Sequence, residues 1–306
     1  MVYDLIIIGG GPAGITAGIY AARQGLNSLL VTKSFGGQMA KKAVAIENYP
    51  GFGKIAGIDL IEKFKNHLKE QKIEIKKEEV IKVEKKDNSF FILTQEEKYE
   101  SRAVVVASGA DSRSLEVPGE KEFVGKGVSY CAICDGPLFS DKSVAVIGGG
   151  NSAFETAQFL GNLAKKIYIL EYSPEIKADK ENQEIVGKID KIEIITNVAL
   201  KEIKGNKFVS SVVYNNRESG EEKVLDVEGV FIEIGLQPIT SFVKDLVDFN
   251  ERDEIVVDLD TFETKTPGLF AAGDVNMGKF KQIAIACGEG TKATLSVFNY
   301  LKKLEK

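Results

Sequence analysis

One pattern occurs twice and constrains the chain more than any other. Leu5-Ile6-Ile7-Ile8 runs directly into Gly9-Gly10-Gly11-Pro12-Ala13-Gly14 and on into Ile15–Ala22. Val144–Ile147 runs into Gly148-Gly149-Gly150-Asn151-Ser152-Ala153 and then Phe154–Leu163. A short apolar run predicts a buried strand, the glycines a tight turn, and the stretch that follows a helix. In such a turn the first glycine permits the reversal and the second lets the backbone approach a pyrophosphate. The third position, Gly14 or Ala153, lets the helix pack closely on the strand, and the helix N-terminus then faces the phosphates. Gly9, Gly11, Pro12, Ala13 and Gly14 are therefore read as one dinucleotide cradle. Gly148, Gly150, Asn151, Ser152 and Ala153 are read as a second. A dehydrogenase with one cofactor needs only one such fold.

The intervening sequence has a different texture. Gly57–Lys72 places Ile58, Ile61, Phe64 and Leu68 at helical spacing, with His67 one step off the stripe and read as an incidental surface residue. Val80–Val83, Phe90–Thr94 and Lys98–Ser101 predict a small meander leading into Ala103–Ala107 and Ser108-Gly109-Ala110. Residues 192–234 repeat that texture, and Phe231-Ile232-Glu233-Ile234-Gly235 matches the end of the earlier block. After residue 245 come Gly268–Asp274 and a long helix from about Gln282 to Leu301, too little for a domain of its own. The expected fold is α/β: two Rossmann-like domains, each with a small β-meander, the second inserted in the first. The boundaries are 1–114 with 246–306, and 115–245, with hinges near 112–120 and 238–246.

Composition narrows the chemistry. A length of 306 residues suits two domains, and 40 basic against 45 acidic residues gives a net charge of -5. That balance argues against a nucleic-acid groove or an anionic membrane surface as partner. No basic region leads a signal-type stretch, and no window offers the ~20 apolar residues of a membrane span. The chain holds three Cys, one His and no Trp. Three cysteines cannot make a secreted disulfide framework, so a reducing cytoplasm is the expected compartment. Two of them form Cys131-Ala132-Ile133-Cys134. Cys287 and His67 are too remote in sequence to complete a four-ligand zinc site, and no metal is expected. Redox work remains for the pair, with Cys287 read as a packed small residue of an Ala/Ile/Gly-rich helix. Asp135 follows directly, either as the acid–base group or as a local turn residue before Gly136-Pro137.

Phe35-Gly36-Gly37-Gln38, Glu47-Asn48-Tyr49-Pro50-Gly51-Phe52, Cys131–Cys134-Asp135-Gly136-Pro137, Gly273-Asp274 and Lys281-Gln282-Ile283-Ala284 stand in one order along the chain. In this it resembles the low-molecular-weight thioredoxin reductases over essentially its whole length. The resemblance implies a homodimeric FAD- and nicotinamide-dependent dithiol reductase, with FAD on the first domain and NAD(P)H on the domain carrying the CxxC. It implies FAD contacts from Thr32, Gly36, Gly37, Gln38, Asn48, Ala107, Ser108, Gly109, Gly273, Asp274, Lys281, Gln282 and Ile283, and nicotinamide contacts from Gly235. It also implies that Cys134 is the sulfur nearer the flavin and that Cys131 attacks the partner, with Asp135 moving the proton.

Within that group the segment Leu170-Glu171-Tyr172-Ser173-Pro174-Glu175-Ile176-Lys177-Ala178-Asp179 departs from the usual NADPH enzyme, which carries a His-Arg-Arg run there. It looks like the NADH-dependent flavoprotein component of alkyl hydroperoxide reductase. The physics agrees: a carboxylate at Glu171 can accept both ribose hydroxyls but would repel a 2′-phosphate, and no Arg is expected nearby to offset it. The bland alternative for Glu171 is a solvated strand end. That flavoprotein also carries N-terminal thioredoxin-like folds with their own CxxC, and no second CxxC occurs here. The expected partner is therefore a separate small redox protein of the thioredoxin, glutaredoxin-like or peroxide-reductase type. A second departure is Lys33 in Thr32-Lys33-Ser34, where the family often has an acid for the FAD ribose; Lys33 cannot accept that bond. The competing readings are an NADPH-dependent thioredoxin reductase, a ferredoxin-fed flavin thioredoxin reductase, and a non-enzymatic flavin redox sensor.

Overall fold

In the computed structural model, which describes residues 1–42 and 46–304, each apolar–glycine pattern forms a strand, a turn and a helix. In chain order the first elements are β1 (Val2–Gly10), α1 (Pro12–Arg23), β2 (Ser28–Phe35), α2 (Gly37–Lys42), α3 (Gly57–Glu70), β3 (Glu74–Lys76), β4 (Val80–Lys86), β5 (Ser89–Thr94), β6 (Lys98–Val106) and β7 (Ala110–Ser112). Then follow β8 (Val128–Ser129), α4 (Ala132–Asp135), β9 (Ser143–Ile147), α5 (Asn151–Leu160), β10 (Lys166–Leu170), α6 (Lys180–Val186), β11 (Ile192–Ile195), β12 (Val198–Gly205), β13 (Val209–Asn216), β14 (Glu222–Asp226) and β15 (Gly229–Ile232). The chain ends through β16 (Leu236–Pro238), β17 (Leu269–Ala271) and α7 (Ile283–Leu304). These elements gather into two units, Met1–Asp111 with Gln237–Lys306, and Ser112–Leu236. Residues 237–245, read from the sequence with the inserted domain, lie with the first unit, and residues 112–114, read with the first domain, lie with the second.

Among the described residues the first unit holds a seven-stranded sheet of order β3-β2-β1-β6-β5-β4, with β17 also pairing β6. Its centre is parallel: β1 runs alongside β2 and β6, and β17 alongside β6. Strands covered on both faces read as unbroken apolar runs. Leu5, Ile6, Ile7, Leu29, Leu30, Val104, Val105 and Leu269 are accordingly fully buried. Each such side chain contributes roughly 1.5–3 kcal/mol relative to exposure. The sequence suggested separate strands at Lys98–Ser101 and Ala103–Ala107; they are one strand, β6. On one edge it pairs parallel with β1 from Glu100 to Val106; on the other its first half pairs antiparallel with β5 in the meander and its second half parallel with β17. The burial pattern records the change, alternating at first and then continuous.

Helix α3 shows a second difference. Leu60, Ile61 and Leu68 are buried, but Ile58 is 63% exposed. At about 100° per residue, Leu60, Ile61, Phe64 and Leu68 share an arc about 100° wide, and Ile58 falls about 60° outside it. His67 is exposed near the end of the same helix.

The second unit repeats the scheme. A parallel sheet of order β11-β10-β9-β15-β8 forms its centre, and β12-β13-β14 form a separate antiparallel meander. Val144, Ala145, Val146, Ile167, Ile169, Val230 and Phe231 are fully buried. The fold is the expected α/β architecture with parallel-strand sheets and a meander in each unit. Among the described residues no helix is long and apolar enough to cross a membrane.

Candidate functional site

The first fingerprint brings most of its expected neighbours together. Gly9 adopts φ +121, and a Cβ there would collide with the Ala107 carbonyl oxygen; one on Gly14 would collide with that of Gly9. Both positions are therefore closed to side chains, as a helix docked tightly on its strand requires. A Cβ on Gly11 or Gly109 would meet nothing within 4 Å. Gly11 caps α1 without any side-chain bond, and Pro12 follows at the head of the helix. The cradle is thus tight behind and open in front, which fits a dinucleotide phosphate. Around it, Gly36 N–H donates to the Gly10 carbonyl at 2.9 Å, and Gly37, with φ +51, leads into α2. Gln38 Nε2 donates to Ala110 O at 2.6 Å, Ser108 Oγ to Ile239 O at 2.6 Å, and Asn48 Nδ2 to Gln282 Oε1 at 3.2 Å. Thr32 is buried, and its hydroxyl is spent on Ser34 O at 2.7 Å. Lys33 pairs with Glu79 at 2.8 Å, both side chains largely exposed.

At the other end of this cradle a carboxylate cluster fixes the Gly273-Asp274 turn. Glu289 of α7 accepts the N–H of Gly273 and the Nδ2 of Asn276, each at 2.7 Å. Lys281 pairs with buried Glu254 at 3.0 Å and also donates to Asn276 O. Burial pushes the Asp274 carboxyl up to about 6; Lys281 opposes that shift, and Glu289 and Glu254 add to it. Ile283 opens α7, and the Gln282 carbonyl accepts Ala286 N–H at 2.9 Å. Glu254 and Glu289 escaped the sequence reading because their partners meet only in space. Cys287 is half-buried on the same helix, 3.9 Å from Tyr49 Oη, and burial raises its thiol.

The second cradle has the same construction with different chemistry at its rim. Gly148 adopts φ +126 with the Glu233 carbonyl directly behind it, and Cβ positions on Gly150 and Gly235 would meet nothing within 4 Å. Ala153 is buried and Ser152 exposed on the first turn of α5. The Asn151 side chain donates to Asp179 Oδ2 and accepts Asp179 N–H, both at 2.8 Å, and so serves the start of α6. Glu171 lies against Gly149, where a Cβ would come within 2.7 Å of its carboxylate. Glu171 Oε1 accepts Ser173 N–H at 2.8 Å. The expectation that no arginine stands near Glu171 is corrected. Arg217, 45 residues along the chain from Tyr172, donates to the Tyr172 carbonyl at 2.9 Å. Its guanidinium carbon lies 3.8 Å from the centroid of the Tyr172 ring.

Glu233 is a further residue that the sequence did not single out; it follows β15 as Ala107 follows β6. Its carboxyl accepts the Thr156 hydroxyl at 2.9 Å. Burial pushes it up from 4.5 to about 7, with the Thr156 bond opposing and the Glu155 charge adding. A carboxyl whose folded pKa is raised favours the fold while protonated, so stability falls as pH rises from about 4.5 through about 7. Glu233→Gln keeps the bond from Thr156 and removes the charge. Urea unfolding at pH 8 should show the variant more stable by on the order of 2 kcal/mol, and little changed at pH 4.5. An equal difference at both pH values would contradict this account of the group.

Cys131 and Cys134 are joined as a disulfide with Cα atoms 5.3 Å apart. Cys131 caps the short helix α4, and its carbonyl accepts the N–H groups of Cys134 at 3.2 Å and Asp135 at 3.0 Å. Ser129, at the end of β8, links the pair to the carboxylate. Its hydroxyl donates to Asp135 Oδ2 at 2.6 Å and accepts Cys131 N–H at 3.1 Å. Burial raises the Asp135 carboxyl above its ordinary range, and the Ser129 bond opposes it only in part. Tyr130 Oη donates to Glu120 at 2.8 Å; Glu120, 1% exposed, also accepts the N–H groups of Leu115 at 3.0 Å and Glu116 at 2.8 Å. Ser129 and Glu120 give no local signal in the sequence. Once reduced to a dithiol, such a pair can exchange with another disulfide, and a carboxyl tied to it through Ser129 can take part in the proton movement.

The chain is 40% identical over 300 residues to a protein named NADH dehydrogenase from Bacillus subtilis (strain 168), covering 98% of this chain and 58% of that one. It is 40% identical over 309 residues to a component of alkyl hydroperoxide reductase from Staphylococcus aureus (strain MSSA476), covering 98% and 59%. The chain thus spans less than two thirds of the length of these relatives. Among solved structures, it is similar to thioredoxin reductase from Streptococcus pyogenes MGAS5005, with a TM-score of 0.93 and 39% identity over 99% of each chain. Thioredoxin reductase from Giardia duodenalis superposes with a TM-score of 0.94 at 34% identity, covering 98% of this chain and 99% of that one. These neighbours agree with the resemblance drawn from the motifs, and the family implies FAD and NAD(P)H as cofactors. With residues 3–290 matching the family described as pyridine nucleotide-disulphide oxidoreductase, the chain belongs to that family of oxidoreductases.

Proposed function

We propose that this chain is an FAD-dependent NAD(P)H:protein-disulfide oxidoreductase that prefers NADH. In this reading it works as a homodimer and reduces a disulfide on a separate small protein of the thioredoxin, glutaredoxin-like or peroxide-reductase type. The observation that carries the reading is the Cys131–Cys134 disulfide tied through Ser129 to half-buried Asp135. FAD would be held by the Gly9–Gly14 cradle with Asp274, and NADH by the Gly148–Ala153 cradle with Glu171. When bound, the two cofactors supply the electron pair that opens the disulfide to a dithiol.

The remaining chemistry belongs to the protein. Cys131, as thiolate, attacks one sulfur of the partner disulfide; the S–S bond breaks, and the departing partner thiolate takes a proton. Asp135, linked to the Cys131 segment through the Ser129 hydroxyl, is the group assigned to pass that proton, and burial raises its carboxyl. Cys134 then attacks Cys131 Sγ, the Cys131–Cys134 disulfide reforms, and the second partner thiol leaves. Two electrons and two protons pass to the partner.

Glu171 supports NADH, since its carboxylate suits two ribose hydroxyls and repels a 2′-phosphate. The second reading, an NADPH-dependent thioredoxin reductase, has Arg217 in its favour as a nearby cation. Anaerobic titration followed by kcat/KM for both coenzymes decides between them, using a panel of disulfide carriers from the same genome. The expected outcome is bleaching and turnover with NADH at a higher kcat/KM than with NADPH. Preference for NADPH overturns the coenzyme assignment, and a flavin that neither coenzyme bleaches overturns the enzyme reading.

A further inference from the structure

Three observations converge on the strand end beyond the second cradle. Tyr172 is 61% exposed, although a large ring at a strand end gains by being covered. One of its faces carries Arg217, with the guanidinium carbon 3.8 Å from the ring centroid. A ladder of bonds then fixes this cation relative to the cradle. Arg217 Nη1 donates to Tyr172 O at 2.9 Å and to Asn197 Oδ1 at 3.4 Å. Arg217 N–H donates to Asn197 O at 2.9 Å and Asn197 N–H to Ser173 O at 3.0 Å. Ser173 N–H in turn donates to Glu171 Oε1 at 2.8 Å. The guanidinium, the ring and the carboxylate therefore form one linked group beside Gly149.

We propose that Arg217 and Tyr172 form the platform for the adenine ring of the nicotinamide coenzyme, with Arg217 a determinant of adenosine affinity. The assignment rests on the reading of the second fold as the NAD(P)H site. A carboxylate at the Glu171 position takes the adenosine ribose, so the base attached to that ribose continues outward from Glu171, where the platform stands. A planar guanidinium offers its face to a purine, and seating it on an aromatic ring removes conformational freedom that binding would otherwise have to remove. A grip on a 2′-phosphate suits the same arginine less well. Its Nη1 is committed to Tyr172 O, and Glu171 opposes a second negative group at the ribose.

Isothermal titration of the flavin-loaded protein with ADP-ribose, 2′-phospho-ADP-ribose and nicotinamide mononucleotide tests the proposal. Arg217→Ala should weaken ADP-ribose about tenfold, the loss expected for one stacked base, and 2′-phospho-ADP-ribose by the same factor. Nicotinamide mononucleotide affinity should not change. Arg217→Lys, which keeps charge but loses the plane, should stay as weak as the alanine variant, and Tyr172→Ala should reproduce it. An unchanged ADP-ribose affinity in Arg217→Ala overturns the proposal. So does a loss confined to the phosphorylated ligand, or full recovery in Arg217→Lys. Wild-type protein that binds 2′-phospho-ADP-ribose more tightly than ADP-ribose contradicts the NADH preference while the Arg217 comparison still stands.

Discussion

Cys134→Ser is expected to abolish catalytic reduction of a partner disulfide, by at least about a thousandfold, while NADH still bleaches the flavin. The serine hydroxyl can neither form the intramolecular disulfide nor displace a mixed disulfide, since it has no accessible anion near neutral pH. Cys131 keeps its place, because its N–H is held by Ser129 and the helix α4 it caps does not use the Cys134 sulfur. The variant should therefore attack the partner once and stop, leaving a mixed disulfide at Cys131 that intact-mass measurement detects. Artificial one-electron acceptors should be reduced at near the wild-type rate. Retained multiple-turnover reduction of the partner would remove Cys134 from the mechanism.

Gly290→Ala carries the second large effect, this time on the fold. Gly290 lies on α7 where that helix crosses the head of α1, and a Cβ there would collide with the backbone carbonyl of Ala13. The obstacle is backbone rather than a movable side chain, so the two helices must separate. Thr294, fully buried one turn later, donates to the Gly290 carbonyl of its own helix at 2.9 Å and lies 3.3 Å from the Ala17 carbonyl, a contact that would be lost as α7 moves away. Overpacking of this kind costs about 3 kcal/mol. The damage falls on Ala13, inside the first fingerprint, so FAD retention should drop with stability. Thermal unfolding and the flavin content of purified protein check both parts. Wild-type values for both would show that α7 does not hold the cradle.

The two cradles were legible in the sequence because their signal is local: an apolar run, spaced glycines and an apolar helix within twenty residues or so. The CxxC was legible for the same reason, and its disulfide is present in the fold. The long terminal helix was also readable from composition, and α7 spans Ile283–Leu304. What escaped were groups that work across space. Ser129 reaches Asp135 through a turn, and Glu120 ties the segment at 115–116 to Tyr130. Arg217 reaches Tyr172 from the end of another strand, so the segment after Glu171 looked free of arginine. Glu233 was hidden inside an apolar strand pattern where burial, not spacing, gives it its character. Asn151 was readable as part of the fingerprint, but the engagement of its side chain with Asp179, 28 residues on, was not.

The central claim is that electrons from NADH arrive at the Cys131–Cys134 disulfide. Flavin-loaded protein is reduced anaerobically with NADH, alkylated under denaturing conditions and mapped by mass spectrometry, with an untreated sample as reference. The expected result is alkylation of Cys131 and Cys134 after NADH, and of Cys287 alone without it. A bleached flavin with the Cys131–Cys134 disulfide still intact would contradict it.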